Sequence, residues 1–305
     1  MNREMIEMRQ SLGKTEVSRE GVQQSLSQVK ARRQELQLLN EQLTHEVKMI
    51  EAMRDEGVDM HVPGGNGGKT LGSWMDERRV GLHRHWKMLC NFLQEQSKKV
   101  VMERFGLGPH RVEFVIETQL TKDQPPFQKS FIIEMASMFD MPHAVYQFLD
   151  SVDQNVWDDT IFLHQRNIDH VLAVVPIDYQ SHDVKHQALQ NLDLQTLAFY
   201  EYSPAFPHEK YTLGFAGLGP TFYINTSNNT REHGPGGQEH HLLPDDADPC
   251  FARIVEGREV IDELAESGAL SDNRLNHQGD NPWKGQMNAY TRIVNMRLLS
   301  PSAPI

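Results

Sequence analysis

Apolar residues near the start of the chain recur every seven positions. The segment around them is rich in Glu, Gln, Lys and Arg and contains no proline over residues 1–57. A sustained heptad predicts a coiled coil, so we predict a stalk over residues 1–60 that self-associates through residues 15–55. A single amphipathic helix lying on its own protein is the alternative. The in-phase positions are Val22, Val29, Leu36, Leu43 and Ile50.

A glycine-rich run interrupts this helical pattern. The run HVPGGNGGKTLG, residues 61–72, lowers helix propensity and adds chain entropy, so it predicts a flexible linker. After it, Leu82, Trp86 and Leu89 recur at helical spacing. This spacing predicts a connecting helix over residues 73–106.

From His110 onward, apolar and polar residues alternate, which is typical of strands with one buried face. The segments HRVEFVIET and KSFIIEMAS precede a predicted helix, MPHAVYQFLDSV, and five more apolar segments predict further strands. The helix REVIDELAES and the strand YTRIVNMRLL follow. We predict a mainly β fold, a closed antiparallel β-barrel with two capping helices, preceded by an N-terminal α-helical coiled coil. The barrel domain is expected over residues 107–300, with a tail at 301–305.

Charge narrows the classes of function. The net charge of the 305 residues is −12, and residues 111–305 hold 13 Lys and Arg against 27 Asp and Glu, a balance of −14. An acidic main domain disfavours a nucleic-acid surface.

No run approaches the roughly 20 apolar residues of a membrane span, and the N-terminus lacks a signal-peptide core. We expect a soluble chain with no nucleic-acid partner, in the cytoplasm or, if an upstream signal is missing, the secretory-pathway lumen.

Candidate ligands for a metal or cofactor are sparse. Cys90 and Cys250 form no CxxC pair, so neither a disulfide framework nor a zinc ribbon is indicated. His233, His240 and His241 fall in one glycine-rich loop, where imidazoles could hold zinc or copper. No cysteine or regular spacing supports that interpretation. We therefore predict no metal and no cofactor, and a polar surface loop.

The order of these elements, together with three short motifs, resembles the cyclophilin family of peptidyl-prolyl isomerases. CFARIVEGREVIDEL is similar to the family's strand and closing helix, and TFYINT to its Ser-Gln-Phe-Phe-Ile-x-Thr strand. SFIIEMASMFDMPHAVYQFLDSV is similar to its second strand and first helix. The resemblance spans residues 110–300. It implies a barrel that binds X-Pro segments of a proline-containing peptide or protein client.

The family's chemistry makes one difference in this chain important. Rotation about a prolyl amide has a barrier of about 18–20 kcal/mol because the nitrogen lone pair is conjugated with the carbonyl. In the family, the arginine of a Phe-His-Arg motif donates a hydrogen bond to the freed lone pair of the twisted state. Matching His164 to the motif's histidine puts Gln165 in the arginine's place and Arg166 one position later. Arg166 should then point away from the groove unless a bulge rephases the strand.

A second family motif, Gln-Gly-Gly-Asp, is replaced by the apolar segment HVLAVVP. Glutamine, a neutral donor, cannot replace a charge-assisted hydrogen bond. Gln165 and Arg166 are therefore the candidate catalytic residues, and we expect weakened isomerase activity. A non-catalytic peptide-binding or scaffolding module, multimerised by the coiled coil, is the alternative.

The resemblance also implies a peptide-binding groove. In this groove, Phe215 stands where the family has Met or Leu before its alanine, Ala216 matches that alanine, and Thr221 replaces the glutamine of the aromatic strand. Phe222 and Tyr223 are expected to be core residues, with one of them lining the groove. The candidate peptide-binding residues are Phe162, His164, Phe215, Ala216, Thr221, Phe222 and Tyr223.

Two adjacent triplets match the N-glycosylation sequon, beginning at Asn225 and Asn228. Such triplets also occur by chance in cytosolic chains, and Asn225 is close to a predicted strand. Both asparagines are possible glycosylation sites, and their pairing favours the secretory interpretation.

Overall fold

The computed structural model of the protein describes residues 71–120, 123–163, 170–181, 196–239, 246–267 and 290–299, and the single positions 21, 24, 27, 31, 185, 189 and 241. Apart from four of these single positions, the predicted coiled-coil stalk lies outside the described residues. Most of the predicted linker and the whole of the tail also lie outside the described residues. The chain divides into two compact units, one of residues 16–96 and another that contains residues 97–305.

The described residues form four helices and eight strands. No helix among them is both long enough and apolar enough to cross a membrane. In chain order the elements are α1 (Leu71–Phe105), β1 (Arg111–Gln119), β2 (Phe127–Met135), α2 (Pro142–Asp153), β3 (Thr160–Leu163), β4 (Val171–Asp178), β5 (Thr212–Phe215), β6 (Phe222–Asn225), α3 (Thr230–His233), β7 (Cys250–Glu256), α4 (Arg258–Ser267) and β8 (Tyr290–Leu299).

The eight strands close into a barrel in the order β1-β2-β7-β5-β6-β4-β3-β8. Every pairing is antiparallel, and β1 pairs with both β2 and β8, so that Phe114 lies opposite Phe131 and Met296. The prediction of a mainly β, closed antiparallel barrel is confirmed. Two helices interrupt the strands where the sequence pattern predicts them, α2 between β2 and β3 and α4 between β7 and β8.

Strand β1 shows how alternation produces this architecture. Its burial alternates along the whole strand, with Val112, Phe114 and Ile116 fully buried. The intervening residues form cross-strand pairs, such as Glu117, whose Oε1 accepts a hydrogen bond from Nε of Arg292 at 3.0 Å. β-Branched and aromatic side chains suit a pleated surface with one buried face. The period of two therefore determines which side of the barrel wall each residue occupies.

A connected cluster of aromatic rings lies in the barrel interior. Phe148, from α2, lies 4.6 Å from Phe251 and 5.5 Å from Phe222 between ring centroids. Trp157 packs edge-on against Phe222 at 4.7 Å, and all four side chains are buried. Aromatic side chains bury large apolar areas and prefer such tilted and edge-to-face contacts. Removal of these rings from water contributes to the stability of the barrel.

Helix α2 is anchored by charged side chains near its two ends. At its start, the carboxylate of Glu201 accepts hydrogen bonds from the backbone amides of His143 at 3.2 Å and Ala144 at 2.7 Å. This buried carboxylate satisfies amides that have no partner within the helix. Near its end, Nη1 of Arg104 in α1 lies 2.5 Å from Oδ1 of Asp150.

The turn from β7 into α4 requires a glycine. Gly257 has φ of +79°, and a Cβ at this position would lie 2.7 Å from Cβ of Phe131. Any other residue would meet both the left-handed backbone penalty and this contact. The turn places Val260 and Ile261 of α4 in buried positions.

Candidate functional site

Strand β6 presents alternate residues to two environments. Phe222 and Ile224 enter the barrel core, whereas Tyr223 and Asn225 occupy the other side of the sheet. There they are buried as well, against polar side chains from the segments that connect the strands. The outer side of β6 is therefore a buried polar site.

Asp248 lies at the centre of this site. Its Oδ2 accepts hydrogen bonds from the hydroxyl of Tyr223 at 3.0 Å and from Nδ1 of His233 at 2.8 Å. Its Oδ1 accepts from the amide of Gly217 at 3.1 Å and lies 3.4 Å from Nε2 of His241. These contacts tie the segment before β7 to β6 and to the turn after β5. We define the histidine cluster as His170, His208, His233 and His241 with Asp248 and Tyr223.

His208 packs beside Tyr223 because Gly214 leaves room for both. A Cβ at position 214 would come within 2.7 Å of Cε1 of His208 and 2.9 Å of the Tyr223 hydroxyl. Nε2 of His208 donates to the carbonyl of Asp248 at 2.8 Å, which leaves Nδ1 as an acceptor 3.4 Å from Nδ2 of Asn225. Burial lowers the pKa of His208 from 6.5 to about 4. This imidazole is therefore neutral near pH 7.

His233, at the end of α3, connects Asp248 to a less buried imidazole. While its Nδ1 bonds Asp248, its Nε2 lies 2.9 Å from Nε2 of His170, which precedes β4. Nδ2 of Asn229 donates to the carbonyl of His170 at 2.7 Å and so fixes the backbone there. Burial, and then the neighbouring His233, lower the pKa of His170. The result is a continuous chain of contacts from a buried carboxylate through two imidazoles.

Two other groups near Asp248 are held in their protonated forms. Burial and the charge of Asp248 raise the pKa of Tyr223 well above its ordinary value, so its phenol acts as a donor. Burial raises the pKa of the Cys250 thiol to about 12, and that thiol donates to the carbonyl of Pro207 at 3.4 Å. A protonated phenol and a protonated thiol are poor nucleophiles. The chemistry available to the cluster is therefore hydrogen bonding and imidazole basicity.

Two of the three predicted loop histidines meet at one carboxylate. His233 and His241 both contact Asp248, whereas His240 lies outside the described residues. In the part of the chain that the structure describes, no group of three or more His, Cys, Asp or Glu side chains is arranged to hold a metal ion.

Four of the predicted groove residues are buried. Phe162, Phe215 and Phe222 are at most 2 % exposed, and the ring of Phe215 lies 4.4 Å from that of Phe251 in the core. Tyr223 is 3 % exposed and faces the histidine cluster. These four residues therefore present little surface of their own, and their role in peptide binding stays a prediction.

The remaining predicted site residues lie at the surface or outside the described residues. Ala216 is exposed and Thr221 partly exposed in the turn joining β5 to β6, where the Ala216 amide donates to the Thr221 carbonyl at 2.9 Å. His164, Gln165 and Arg166 fall in the segment 164–169, outside the described residues. The candidate catalytic residues therefore stay predictions.

The two sequon asparagines differ in exposure. Asn225 is fully buried and its Nδ2 donates to Oγ1 of Thr212 at 3.0 Å. Asn228 is exposed, and its Oδ1 accepts a hydrogen bond from the Thr230 amide at 3.1 Å. In the folded domain, Asn228 is the sequon asparagine at the surface.

Sequence reasoning missed the central residues of the cluster. Asp248, His208 and His170 are isolated polar residues from three separate connecting segments. The one local signal was the period of two in TFYINT, which places Tyr223 and Asn225 together on one face.

No protein-family model matches this chain. No curated protein shows significant similarity to it. Its site is therefore interpreted from its own geometry.

Proposed function

We propose that residues 107–300 form a cyclophilin-type domain that binds X-Pro peptide segments, with weakened isomerase activity. The observation that carries the proposal is the closed antiparallel barrel with α2 and α4 at the places in the strand order that the resemblance implies. The glycine turn at Gly257 and the aromatic strand β6 add support, because both are parts of the matched motifs.

The exposed turn between β5 and β6 is the proposed entrance to the groove. Ala216 and Thr221 offer surface there, and the buried Tyr223 supports the wall behind them. The turn is held by the hydrogen bond from the Gly217 amide to Asp248. A peptide would thus meet a preorganised surface, which lowers the entropic cost of binding.

A second candidate function is peptide binding without catalysis, in a module that the stalk makes multivalent. The composition of β4 favours it, because this strand has buried apolar residues where the family motif supplies polar groups that orient its arginine. These buried residues are Val171, Leu172, Ala173 and Val174. Linked copies would gain avidity without any chemistry.

The test is NMR exchange spectroscopy on a short X-Pro peptide with the intact protein, compared with Gln165→Ala and Arg166→Ala. Cis–trans exchange faster than in the free peptide, and lost in either variant, supports the enzyme. Line broadening of the peptide without faster exchange supports the second candidate.

A matched pair of variants tests the groove itself. Ala216→Arg should abolish peptide broadening by filling the entrance, whereas Glu259→Arg on the exposed face of α4 should leave it unchanged. An intact protein that produces neither broadening nor exchange in a panel of X-Pro peptides would contradict both candidates.

A further inference from the structure

We propose that His170, His233 and Asp248 form a proton relay that makes the turn between β5 and β6 sensitive to pH. The relay begins at a partly exposed imidazole, that of His170, and ends at a buried carboxylate. The two Nε2 atoms lie 2.9 Å apart, and Nδ1 of His233 lies 2.8 Å from Oδ2 of Asp248. Both distances are those of hydrogen bonds along which a proton can pass. Regulation of the peptide groove by this relay rests on the proposed function, whereas the relay itself does not.

The hydrogen bonds determine which ring nitrogens carry protons near neutral pH. Nδ1 of His233 donates to the Asp248 carboxylate, so the neutral ring presents an electron pair on Nε2. Nε2 of His170 therefore carries the proton of the contact between the rings, and its Nδ1 is unprotonated. In this state the net charge of the three groups is the negative charge of Asp248.

Uptake of one proton from solvent reverses the hydrogen bond between the rings. The proton binds Nδ1 of His170, where a hydrogen bond with the side chain of Asn229 favours the protonated form. The proton on Nε2 of His170 then moves to Nε2 of His233. The positive charge gained thus ends on His233, 2.8 Å from the Asp248 carboxylate, where the opposite charge stabilises it. His170 is left neutral, with its proton on Nδ1.

Asp248 transmits this change to the turn. Its Oδ1 accepts a hydrogen bond from the Gly217 amide at 3.1 Å, and its Oδ2 accepts one from the Tyr223 hydroxyl at 3.0 Å. Hydrogen bonds to an ionised acceptor are roughly twice as strong as those between neutral groups. When a charged His233 neutralises the carboxylate, the hydrogen bond that holds Gly217 weakens. We therefore expect a looser turn and weaker peptide binding in acid.

Neighbouring titratable groups set the pH at which the relay responds. Burial, and then the neighbouring His233, lower the pKa of His170, whereas the charge of Glu232 raises it, so we expect proton uptake below the ordinary 6.5. His208, whose pKa is about 4, titrates at a lower pH. Among the described residues, the titratable side chains that interact with the three members of the relay are Glu232, His208, His241 and Tyr223.

The test follows the Gly217 amide of the full chain by NMR between about pH 5 and 8, without peptide. We expect its proton resonance to move upfield as the pH falls, with a midpoint below 6.5 that it shares with the ring nitrogens of His170 and His233. His170→Gln removes the entry point and should abolish this transition. His110→Gln is the matched control, because burial also lowers the pKa of this histidine but its ring bonds the carbonyl of Gly106.

A second variant keeps the test independent of any one substitution. His233→Gln removes the middle of the relay and should abolish the same transition, while a dispersed amide spectrum shows that each variant is folded. A Gly217 transition that persists in folded His170→Gln would assign it to another group, such as His241, and overturn the proposal. A Gly217 amide that does not titrate in the intact protein would overturn it as well.

A separate measurement distinguishes failure of the relay from failure of the groove. With the intact protein, line broadening of an X-Pro peptide should be weaker at about pH 5 than at about pH 8. With His170→Gln it should be equal at the two pH values. A titrating Gly217 amide without peptide broadening at either pH would support the relay and contradict the proposed function. Equal broadening at both pH values, together with a titrating amide, would overturn the regulatory role.

Discussion

The two sides of β6 are equally buried but differ completely in chemistry. On the inner side, the ring of Phe222 packs edge-on against the rings of Phe148 and Trp157, without hydrogen bonds between them. On the outer side, one position further along, Tyr223 and Asp248 belong to a connected set of hydrogen bonds. Burial alone therefore does not distinguish a core from a site. What distinguishes them is whether each buried polar group finds a partner.

The two environments should respond differently to substitution and to pH. The inner side gains stability from apolar area, which is insensitive to pH. The outer side depends on the protonation states of imidazoles and on specific donors. The predictions below test this difference, beginning with the largest expected effect.

Truncation of a side chain on the inner side of β6 should cause the largest loss in the free energy of unfolding. Phe222→Ala removes a fully buried ring that contacts Phe148 and Trp157, and should lower the free energy of unfolding by about 3–5 kcal/mol. Urea denaturation followed by tryptophan fluorescence measures the loss. Leu107→Ala, at a side chain that is 69 % exposed, is the control and should change stability by less than about 0.5 kcal/mol.

Acid should lower the stability of the domain through a group on the outer side of β6. The folded-state pKa of His208 is about 4, against an ordinary 6.5, so the unfolded chain binds its proton more readily. Stability is then complete above pH 6.5 and falls as the pH drops toward 4, by up to about 3 kcal/mol for this group. Denaturation curves at a series of pH values measure the slope.

A variant assigns that slope to His208. His208→Gln should flatten the pH dependence between 6.5 and 4, even if it lowers stability at neutral pH. An unchanged slope in the variant would show that other groups titrate there, and His170, whose pKa is also lowered, would be the next residue to test.

Loss of one hydroxyl from the outer side should have an intermediate effect. Tyr223→Phe removes the 3.0 Å hydrogen bond to Asp248 while keeping the ring, and should cost about 1.5–3 kcal/mol, as for other hydrogen bonds to charged groups. The control is Tyr202→Phe, at a partly exposed tyrosine outside the cluster. Equal losses in the two variants, measured by urea denaturation, would contradict a special role for the Asp248 contact.

The smallest effect is expected at the solvent-exposed wall of the barrel. Arg253 donates to Glu134 at 2.9 Å, but its side chain is 56 % exposed. Arg253→Met should lower the unfolding free energy by less than about 1 kcal/mol, because exposed ion pairs are screened by solvent and salt. A loss above 2 kcal/mol in urea would show that this pair is coupled to the buried network.

The fold was predictable because its signals are local. The alternation of RVEFVIETQ, and of FIIEM in the second half of β2, identifies inward and outward residues directly, and the glycine of CFARIVEG marks the turn at Gly257. The site was not predictable in the same way. His208, His233 and Asp248 meet only when separate connecting segments fold over β6, and no period in the sequence relates them. Gly214 could be seen as a glycine in a strand, but its purpose depends on two side chains brought from elsewhere.

The pairing of β1 with β8 affects how the domain folds during synthesis on the ribosome. Thr118 and Thr291 lie in contact although 173 positions separate them in the chain. A nascent chain that has emerged only as far as β7 has open edges on β1 and β3, because β8 is the neighbour that covers both. Such edges recruit other strands, and pairing over such a distance is slow. Translation of β8 is thus the step that covers both of these edges.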